Sequence, residues 1–295
     1  MLKNISKIIF TVIFLTSSTV LAQEPDYSQL DPKPYDPKTE PDIDMYMGSW
    51  KDSLPKHTHG SLVERDILTQ CDGDPMKPPT KGAVLKYVNR FTYATLEMLT
   101  STEPTTLVGE QELFHVLSGK GTVTGGKKTY NIYPGITFLI PEKMKFTIEN
   151  TGHERLTMYL VAEPTREGFR PNDYIVVHDE ATTPIATSTS HWVNIFKHLI
   201  KPEEGLADLQ LVLNVWLSPN TFAQPHSHIE GCDEVWCTIE GDVKFLLGKQ
   251  IRNLPPGTAY MIPPNGITPH ANFNVSDDMI KIFYFARFAD HEPRK

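Results

Sequence analysis

From about residue 85 onward the chain alternates short apolar runs with turn residues. The runs contain many valine, isoleucine, phenylalanine and tyrosine residues, and glycine, proline and asparagine separate them. This pattern is typical of β-strands joined by tight turns. The exception is residues 193–200, which predict a short helix that Pro202 ends. We therefore predict an all-β protein with a few short helices.

The strand pattern occurs twice, at a constant offset of 122 positions. The offset aligns a glutamate and several turn residues, namely Glu112 with Glu234, Gly119 with Gly241, Gly126 with Gly248, Gly135 with Gly257 and Pro141 with Pro263. Because backbone geometry restricts which residues occupy such turns, matching turns indicate matching strand lengths. We predict two copies of one all-β unit.

Residues 1–22 have the pattern of a secretory signal peptide. Lys3 and Lys7 precede a short apolar run, and a small-residue cleavage site ends at Ala22. The run is well short of the ~20 apolar residues that a membrane-spanning helix needs. We expect the protein to be secreted or periplasmic, with no membrane contact after cleavage.

The net charge and the number of cysteines limit the possible partners and disulfides. The net charge is −8, and loss of the signal peptide removes two lysines and no acidic residue, which lowers it to −10. Nucleic-acid surfaces need clustered lysine and arginine, so we expect no nucleic-acid partner. The three cysteines, Cys71, Cys232 and Cys237, can form at most one disulfide in an oxidising compartment, and the sequence leaves the pairing open.

The second copy has the strongest candidate chemistry. His226 and His228 alternate on a predicted strand, so their side chains point to the same face. Glu234 begins the next apolar strand, and His270 follows a Pro-Pro-Asn-Gly turn. Three imidazoles and one carboxylate directed into one space are suitable ligands for a divalent transition metal, whether Mn, Fe, Zn, Cu or Ni. The alternative is a core of buried, hydrogen-bonded histidines.

These residues resemble the two sequence motifs of the cupin superfamily. In the first motif His-x-His is followed by Glu and, after six further residues, by Gly; the matching residues are His226, His228, Glu234 and Gly241. In the second motif Pro-x-Gly is followed by His and then by Asn; the matching residues are Pro264, Gly266, His270 and Asn274. The resemblance implies a bicupin, which has two tandem jelly-roll β-barrels.

The resemblance also implies a division of the chain. The predicted segments are a signal peptide at 1–22, an extended arm and lead-in at 23–84, an N-terminal cupin domain at 85–163, a linker at 164–204 and a C-terminal cupin domain at 205–295. The N-terminal copy lacks the metal ligands, because the offset of 122 places Pro104, Thr106 and Ile148 at the histidine positions. We expect this copy to be structural, with a purely organic pocket as the alternative.

The predicted arm contains a second histidine pair. His57 and His59 precede Glu64 with nearly the same spacing as the ligands of the second copy, but they lie before the first repeat. Two interpretations remain open: a surface segment, or an arm that folds over a metal pocket of its own chain or of a partner. His115 lies an odd number of residues from Glu112 and should therefore face away from that pocket.

Strand parity suggests residues beside the metal ligands. Trp236 should share the inward face of Glu234, and Asn272 that of His270. Gln224 and Tyr260 are further candidates for the substrate pocket, and core packing is the alternative for all four. Cys237 should point away from the pocket.

The resemblance favours an exported enzyme that uses one divalent transition metal. The expected substrate is a small oxygen-rich molecule that chelates the metal: a hydroxy or keto acid, a diol or a phenol, with oxygenase or decarboxylase chemistry slightly preferred. One alternative is an isomerase or lyase for unsaturated sugar acids, which predicts that Lys281 or Arg287 holds the carboxylate. The other is a non-catalytic cupin that binds a metal or small ligand in an apolar pocket. Cupin strands commonly pair between subunits, so a homodimer is also expected.

Overall fold

The structure, a computed structural model, describes residues 41–186 and 193–288. The predicted signal peptide and most of the predicted arm lie outside these ranges. Within them, no helix is long and apolar enough to cross a membrane.

The described residues form 22 β-strands and three 3-10 helices. The first half contains β1 (Met47–Ser49), β2 (Lys56–Thr58), β3 (Leu62–Gln70), β4 (Ala83–Leu85), β5 (Arg90–Leu96), β6 (Thr105–Thr106), β7 (Glu110–Ser118), β8 (Gly121–Gly125), β9 (Lys128–Ile132), β10 (Ile136–Ile140), β11 (Lys145–Asn150), β12 (Leu156–Pro164) and β13 (Val176–Asp179). The second half contains β14 (Ile195–His198), β15 (Leu211–Leu217), β16 (Thr221–Phe222), β17 (Asp233–Glu240), β18 (Val243–Leu247), β19 (Gln250–Leu254), β20 (Thr258–Met261), β21 (His270–Asn274) and β22 (Ile280–Arg287). The 3-10 helices are Ile43–Tyr46, Trp50–Asp52 and Pro202–Glu204.

The strands form two jelly-roll barrels, each built from one large sheet and one four-stranded sheet. The N-terminal barrel has the strand orders β13-β10-β7-β12-β5-β3-β2, with β4 beside β3, and β6-β11-β8-β9. The C-terminal barrel has the orders β1-β20-β17-β22-β15-β14 and β16-β21-β18-β19. The prediction of an all-β fold with two copies of one unit is confirmed.

The two barrels repeat their strands at nearly constant spacing. β8 and β9 fall on β18 and β19 at the predicted offset of 122, residue for residue. The offset is 124 at the ends of β11 and β21, where Asn150 corresponds to Asn274, because the loop before β21 is longer than the loop before β11. The predicted offset therefore holds for the middle strands and drifts by two residues beyond them.

Asn150 and Asn274 hold equivalent turns in the two barrels. Both side chains are fully buried, and each amide donates to three backbone carbonyls at 2.8–3.1 Å. The acceptors are the carbonyls of Leu96, Glu97 and Glu154 for Asn150, and of Leu217, Ser218 and Asp278 for Asn274. The asparagine of the second motif is thus a structural residue, and the first copy has the same residue in the same role.

We expect Asn274→Ala to lower the free energy of unfolding by about 3 kcal/mol, because three carbonyl groups lose their buried donor at roughly 1 kcal/mol each. Asn150→Ala should cost a similar amount in the other barrel. Chemical denaturation measures both losses, with the exposed Asn131→Ala as the matched control. Losses no larger than that of the control would contradict the assigned role.

The predicted helix at residues 193–200 is wrong. Residues 195–198 form β14, which pairs antiparallel with β15, for example Phe196 with Val215. An apolar run this short does not distinguish a helix from a strand by its periodicity, and the partner strand decides. Asn194, directly before the strand, shares one face with Phe196 and His198. Lys197 lies on the other face, where its Nζ donates to the Glu180 carbonyl at 2.7 Å.

The N-terminal barrel begins earlier than the predicted boundary at residue 85. β3 pairs antiparallel with β5 and β2 pairs with β3, so residues 56–70 belong to the large N-terminal sheet. β1 lies just before them in the chain but pairs with β20 of the C-terminal sheet, Met47 opposite Tyr260. The predicted lead-in therefore contributes strands to both barrels, which its short, proline-interrupted sequence does not reveal.

A shared apolar core joins the two barrels. The ring of Phe91 on β5 lies 5.9 Å from that of Phe283 and 5.2 Å from that of Phe285, both on β22. The Tyr159 hydroxyl on β12 donates to the Thr238 carbonyl on β17 at 2.8 Å. The described residues of both barrels consequently belong to one compact unit.

All three cysteines are buried and unpaired. Burial raises the pKa of the Cys232 and Cys237 thiols to about 12, so both are protonated at neutral pH. Cys237 packs in the shared core beside Tyr159, away from the metal-ligand candidates, as its parity on the strand predicts.

His115 lies in this core, fully buried and stacked 5.5 Å from the Phe283 ring. The Asn214 amide donates to its Nε2 at 3.1 Å, so the ring is neutral and its Nδ1–H donates to the Thr137 hydroxyl at 2.8 Å. Burial, with a smaller contribution from Lys281, lowers the pKa of His115 to about 3. The predicted orientation away from Glu112 agrees with these contacts.

In the unfolded chain His115 becomes protonated below about pH 6.5, whereas in the folded protein it stays neutral down to about pH 3. The stability that neutral His115 contributes is therefore complete above pH 6.5 and falls as the pH decreases, by up to about 1.4 kcal/mol per pH unit. We expect His115→Gln to remove this part of the acid sensitivity. Urea unfolding at pH 7, 5.5 and 4.5 measures the free energy of unfolding of both proteins. An equal decrease of this free energy with falling pH in variant and wild type would contradict the prediction.

Candidate metal centre

The four predicted metal ligands lie at one end of the C-terminal barrel. His226 and His228 are in the loop between β16 and β17, Glu234 is on β17, and His270 is the first residue of β21. The backbones of His226 and His270 pair as an isolated antiparallel bridge, with N–H···O distances of 3.2 and 2.9 Å. The bridge fixes the two histidines side by side although they lie far apart in the sequence.

The side chains of these residues converge. The ring centroids of His226 and His270 are 4.4 Å apart, and that of His228 lies 4.9 and 5.2 Å from them. The three rings offer nitrogen atoms that all lie within 4.8 Å of one another. The Glu234 carboxylate lies 2.8 Å from His228 Nε2 and 3.4 Å from His270 Nε2. The structure thus brings together all four residues.

Several of these converging atoms are buried without a hydrogen-bond partner: His228 Nε2, Glu234 Oε2, and Nδ1 and Nε2 of His270. His228 Nε2 and Glu234 Oε2 are close, but their contact is not aligned as a hydrogen bond. An unsatisfied buried polar atom costs about 1–3 kcal/mol. One divalent transition metal can satisfy His228 Nε2, Glu234 Oε2 and one nitrogen of His270 together, so the residues present fit a metal ion.

Neighbouring groups prepare these side chains as ligands. His226 Nδ1 donates to the Gln224 carbonyl at 2.9 Å, which orients the ring. Trp236 Nε1 donates to Glu234 Oε1 at 3.0 Å. Burial by itself raises the pKa of the Glu234 carboxyl, but His228 and His270 outweigh this effect and hold that pKa below its usual value. Glu234 is therefore ionised.

Comparisons with known proteins agree with this architecture. Residues 102–162 match the model of the cupin domain family. A putative glyoxylate-induced protein from Pseudomonas aeruginosa superimposes with a TM-score of 0.66 at 11% identity, over 84% of this chain and 90% of its own. A mutant of oxalate decarboxylase from Bacillus subtilis gives a TM-score of 0.62 at 11% identity, over 87% and 80%. The chain has a bicupin fold.

A vicilin from hazelnut, Corylus avellana, also shares the bicupin fold, with a TM-score of 0.61 at 12% identity over 82% of this chain and 85% of its own. No curated protein matches this bicupin in sequence. Relatives this distant establish the fold and leave the activity open. Function has to be argued from the residues of the site.

A cavity of about 370 Å³ lies beside His228 inside the C-terminal barrel. Its other walls are mostly apolar: Phe196, Leu211, Leu213, Val215, Trp236, Tyr284 and Phe288, with the polar Asn194 and His198. This space equals roughly twelve water molecules at ~30 Å³ each. It is large enough for a small organic molecule with one end at the metal-ligand candidates.

The predicted pocket residues have different positions. Trp236 lines the cavity. The side chain of Gln224 is exposed, and its backbone carbonyl instead orients His226. Tyr260 and Asn272 are buried beneath the site, where the Tyr260 hydroxyl donates to Asn272 Oδ1 at 3.0 Å. Neither of these two is among the described residues that line the cavity.

The β14 segment supplies the polar wall that sequence reasoning missed. Asn194 is 6% exposed, and its Oδ1 is buried without a hydrogen-bond partner. The pKa of His198 is lowered, first by burial and then by Lys201, so the ring is neutral at pH 7. The alternation of Asn194, Phe196 and His198 was the available signal for an inward-facing strand.

The two candidate cations for a sugar-acid carboxylate have other partners. Lys281 Nζ lies 2.7 Å from Glu180 and over the Trp216 ring. The Arg287 guanidinium carbon lies 3.8 Å from the centroid of the Tyr87 ring, and Nε lies 3.3 Å from Asp208. Neither residue is among the described walls of the cavity.

In the N-terminal barrel the residues at the histidine positions differ from those predicted. Thr105 pairs with Phe146 as His226 pairs with His270, so Thr105 and Phe146 occupy these positions rather than Pro104 and Ile148. The constant offset misplaced them because the surrounding loops differ in length.

The interpretation of His59 as a surface residue is wrong. His57 is exposed, but the His59 ring turns into its own barrel, where Nε2 lies 2.9 Å from Glu112 Oε2. The other interpretation predicted an arm that folds over a metal pocket, and of this the structure shows the inward fold within its own chain. What this path forms is a network of buried charges.

Proposed function

We propose that this bicupin is a metal-dependent enzyme that acts on a small oxygen-bearing molecule, by oxygenase or decarboxylase chemistry. The observation that carries the proposal is the convergence of His226, His228, Glu234 and His270 beside a partly open cavity, which His228 lines. A divalent metal held by these four residues supplies Lewis acidity to a chelating substrate. The signal-peptide pattern of residues 1–22 supports export as part of this proposal.

The residues of the site have separable tasks. Glu234, kept ionised and held by Trp236, offers the anionic ligand, and the three imidazoles offer neutral ones. Neutral His198 can accept a proton from a substrate hydroxyl in the cavity, and Asn194 Oδ1 can accept a hydrogen bond from it. The mostly apolar walls lower the local dielectric constant and so strengthen the electrostatic interactions beside them.

The cavity favours this chemistry over an isomerase or lyase for sugar acids. A polyhydroxylated acid needs many polar partners and a cation for its carboxylate. The walls described here are mostly apolar, and Lys281 and Arg287 are engaged elsewhere. A substrate with one oxygen-bearing end and an apolar body, such as a phenol, matches these walls better.

A non-catalytic binding cupin is the second candidate, and the apolar majority of the walls favours it. A vicilin from Solanum melongena is described as having different anionic ligands in structurally similar pockets. His198 is the observation that separates the two candidates, since a binding site needs no proton acceptor. Substrate turnover that depends on His198 decides for the enzyme.

Elemental analysis of the purified protein beside His226→Ala/His270→Ala tests the proposal. We expect about one Mn, Fe, Cu, Ni or Zn per wild-type chain and none in the double variant, with the exposed His153→Ala as the control. Iron or copper directs the next assay to oxygen uptake with phenols and keto acids. Wild-type protein that binds no metal after reconstitution would overturn the catalytic proposal.

A further inference from the structure

The N-terminal barrel contains a buried cluster of charged residues around Arg90. Arg90 Nε lies 3.1 Å from Glu64 Oε2, and Nη1 lies 2.7 Å from Glu110 Oε1. Nη2 forms a further short contact with Glu112, whose carboxylate also contacts the His59 ring. Glu64 is 1% exposed and Glu112 is fully buried. One guanidinium thus contacts three carboxylates inside the barrel.

Arg90 occupies a position that the other barrel fills with an apolar residue. Arg90 is opposite Ala162 on β12, and Ala162 is opposite Glu112 on β7. The same row in the C-terminal barrel contains Leu211, Ala286 and Glu234. Leu211 is a wall of the cavity beside the metal-ligand candidates. Arg90 therefore extends into the space that corresponds to this cavity.

The carboxylates of this cluster have partners, unlike the converging atoms of the C-terminal centre. Glu64 Oε1 accepts from Thr58 at 2.6 Å, and Oε2 accepts from Thr92 at 2.9 Å and from Arg90. Both Glu112 oxygens contact the His59 ring nitrogen, at 2.9 and 3.2 Å. Buried carboxylates need a cation and donors, and here the chain itself provides both.

The ligand atoms of a metal site are nevertheless present. His59, Glu64 and Glu112 offer one nitrogen and two carboxylate oxygens that all lie within 4.8 Å of one another. A divalent ion and a guanidinium cannot share that space, since their charges repel and both need the same carboxylates. The two cations are alternatives.

We propose that the Arg90 guanidinium is the resident cation of the N-terminal barrel and that it blocks a latent divalent-metal site formed by His59, Glu64 and Glu112. A guanidinium suits this place because it is always charged, offers five donors and is covalently attached, so it never dissociates. Its removal leaves two buried carboxylates and an imidazole without a cation. A metal ion is the partner of opposite charge that fits such a set.

The loop before β3 is built to keep His59 in this place. His59 and Gly60 have φ values of 45° and 80°, and the Glu103 N–H donates to the His59 carbonyl at 2.8 Å. The His59 ring packs edge-on against Phe146, with centroids 5.2 Å apart. His59 is therefore positioned without any metal, and removal of Arg90 changes the charge of the cluster more than its shape.

The test measures bound metal in full-length protein that carries His226→Ala/His270→Ala, so it does not depend on the C-terminal centre. After incubation with excess Co²⁺ and gel filtration, we expect no bound cobalt in this background and about one per chain once Arg90→Leu is added. Cobalt bound to an imidazole also gives a visible absorption band, which Glu112→Gln should abolish. Arg90→Lys, which keeps a cation, is the matched control and should bind none.

Three results would overturn the proposal. The first is a folded Arg90→Leu protein that binds no cobalt, and the second is cobalt binding by the Arg90→Lys control. The third is cobalt binding by the background protein, in which Arg90 is intact, if Glu112→Gln abolishes that binding. If Arg90→Leu fails to fold even with cobalt present, the reciprocal variant decides. Leu211→Arg places a guanidinium beside Glu234 in otherwise wild-type protein. Loss of its metal with the fold retained supports the proposal, and metal content equal to wild type contradicts it.

Discussion

Glu234→Gln is expected to lower the affinity for a divalent metal on the order of 100-fold, because an interaction with a buried charged group is worth about 1.5–3 kcal/mol. Glutamine keeps the shape of the side chain and loses the negative charge. The three neutral imidazoles then face a dication without a compensating anion. Isothermal titration of metal-free protein with Zn²⁺ measures the change.

The same variant should lose most of the stabilisation that metal gives. A ligand that binds only the folded state stabilises it by about 4 kcal/mol at a thousand times its dissociation constant. Wild-type protein should therefore melt at a higher temperature with Zn²⁺ than with a chelator. At the same Zn²⁺ concentration Glu234→Gln, with ~100-fold weaker binding, should gain only about 1.4 kcal/mol and show a correspondingly smaller rise in melting temperature. Trp236→Phe, which removes the hydrogen bond to Glu234 and keeps the negative charge, is the matched control and should lower the affinity by only ~10-fold. Equal affinities in wild type and Glu234→Gln would exclude Glu234 as a ligand.

Glu163→Leu is expected to lower the free energy of unfolding by about 3–5 kcal/mol. Glu163, at the end of β12, is fully buried. Its carboxylate accepts from the backbone N–H groups of Ala207, Asp208 and Leu209, each at 2.9 Å. These residues lead into β15, so one N-terminal carboxylate holds the entry to the C-terminal barrel. Leucine leaves three buried donors without an acceptor.

Glu163→Gln separates charge from geometry at this position. Its amide oxygen still accepts hydrogen bonds, so we expect a smaller loss than for leucine. Denaturant unfolding at pH 7 compares both with Glu167→Gln, an exposed glutamate on the following loop. Equal stability of Glu163→Leu and wild type would show that these hydrogen bonds do not hold the two barrels together.

The sequence reveals the repeat and the convergence of the four ligand candidates because both depend on local spacing. Glycine and proline turns recur wherever the strands have equal length, and this made the offset of 122 visible. The strand predicted for His226 and His228 is a loop in the structure, and the backbone bridge between His226 and His270 holds this loop in place. The approach of Glu234 and His270 to this loop follows from the motif resemblance, which encodes contacts that periodicity does not.

The cavity wall was not predictable from local pattern. Residues 193–200 are compatible with a helix and with a strand, and only the partner strand β15 decides between them. That decision places Asn194 and His198 in the wall. Because the sequence analysis predicted a helix over this short segment, it did not identify the polar residues of the cavity wall.

The charge cluster of the N-terminal barrel was hidden for a different reason. The meeting of Arg90 with Glu112 depends on the register of three adjacent strands, and that of His59 depends on the path of a loop. The drift of the offset at Thr105 and Phe146 shows the same limit. Contacts across strands require a register that a single sequence does not contain.

The pairing of β1 with β20 has a consequence for the order of events during synthesis. The ribosome completes β1 early and must add nearly the whole remaining chain before Tyr260 can pair with Met47. At 5–20 residues per second this interval lasts on the order of 10–40 s. Until then β1 has no partner within its own chain. Two nascent chains held close together could exchange β1, and a fragment that begins after residue 49 would expose the β20 edge to other strands.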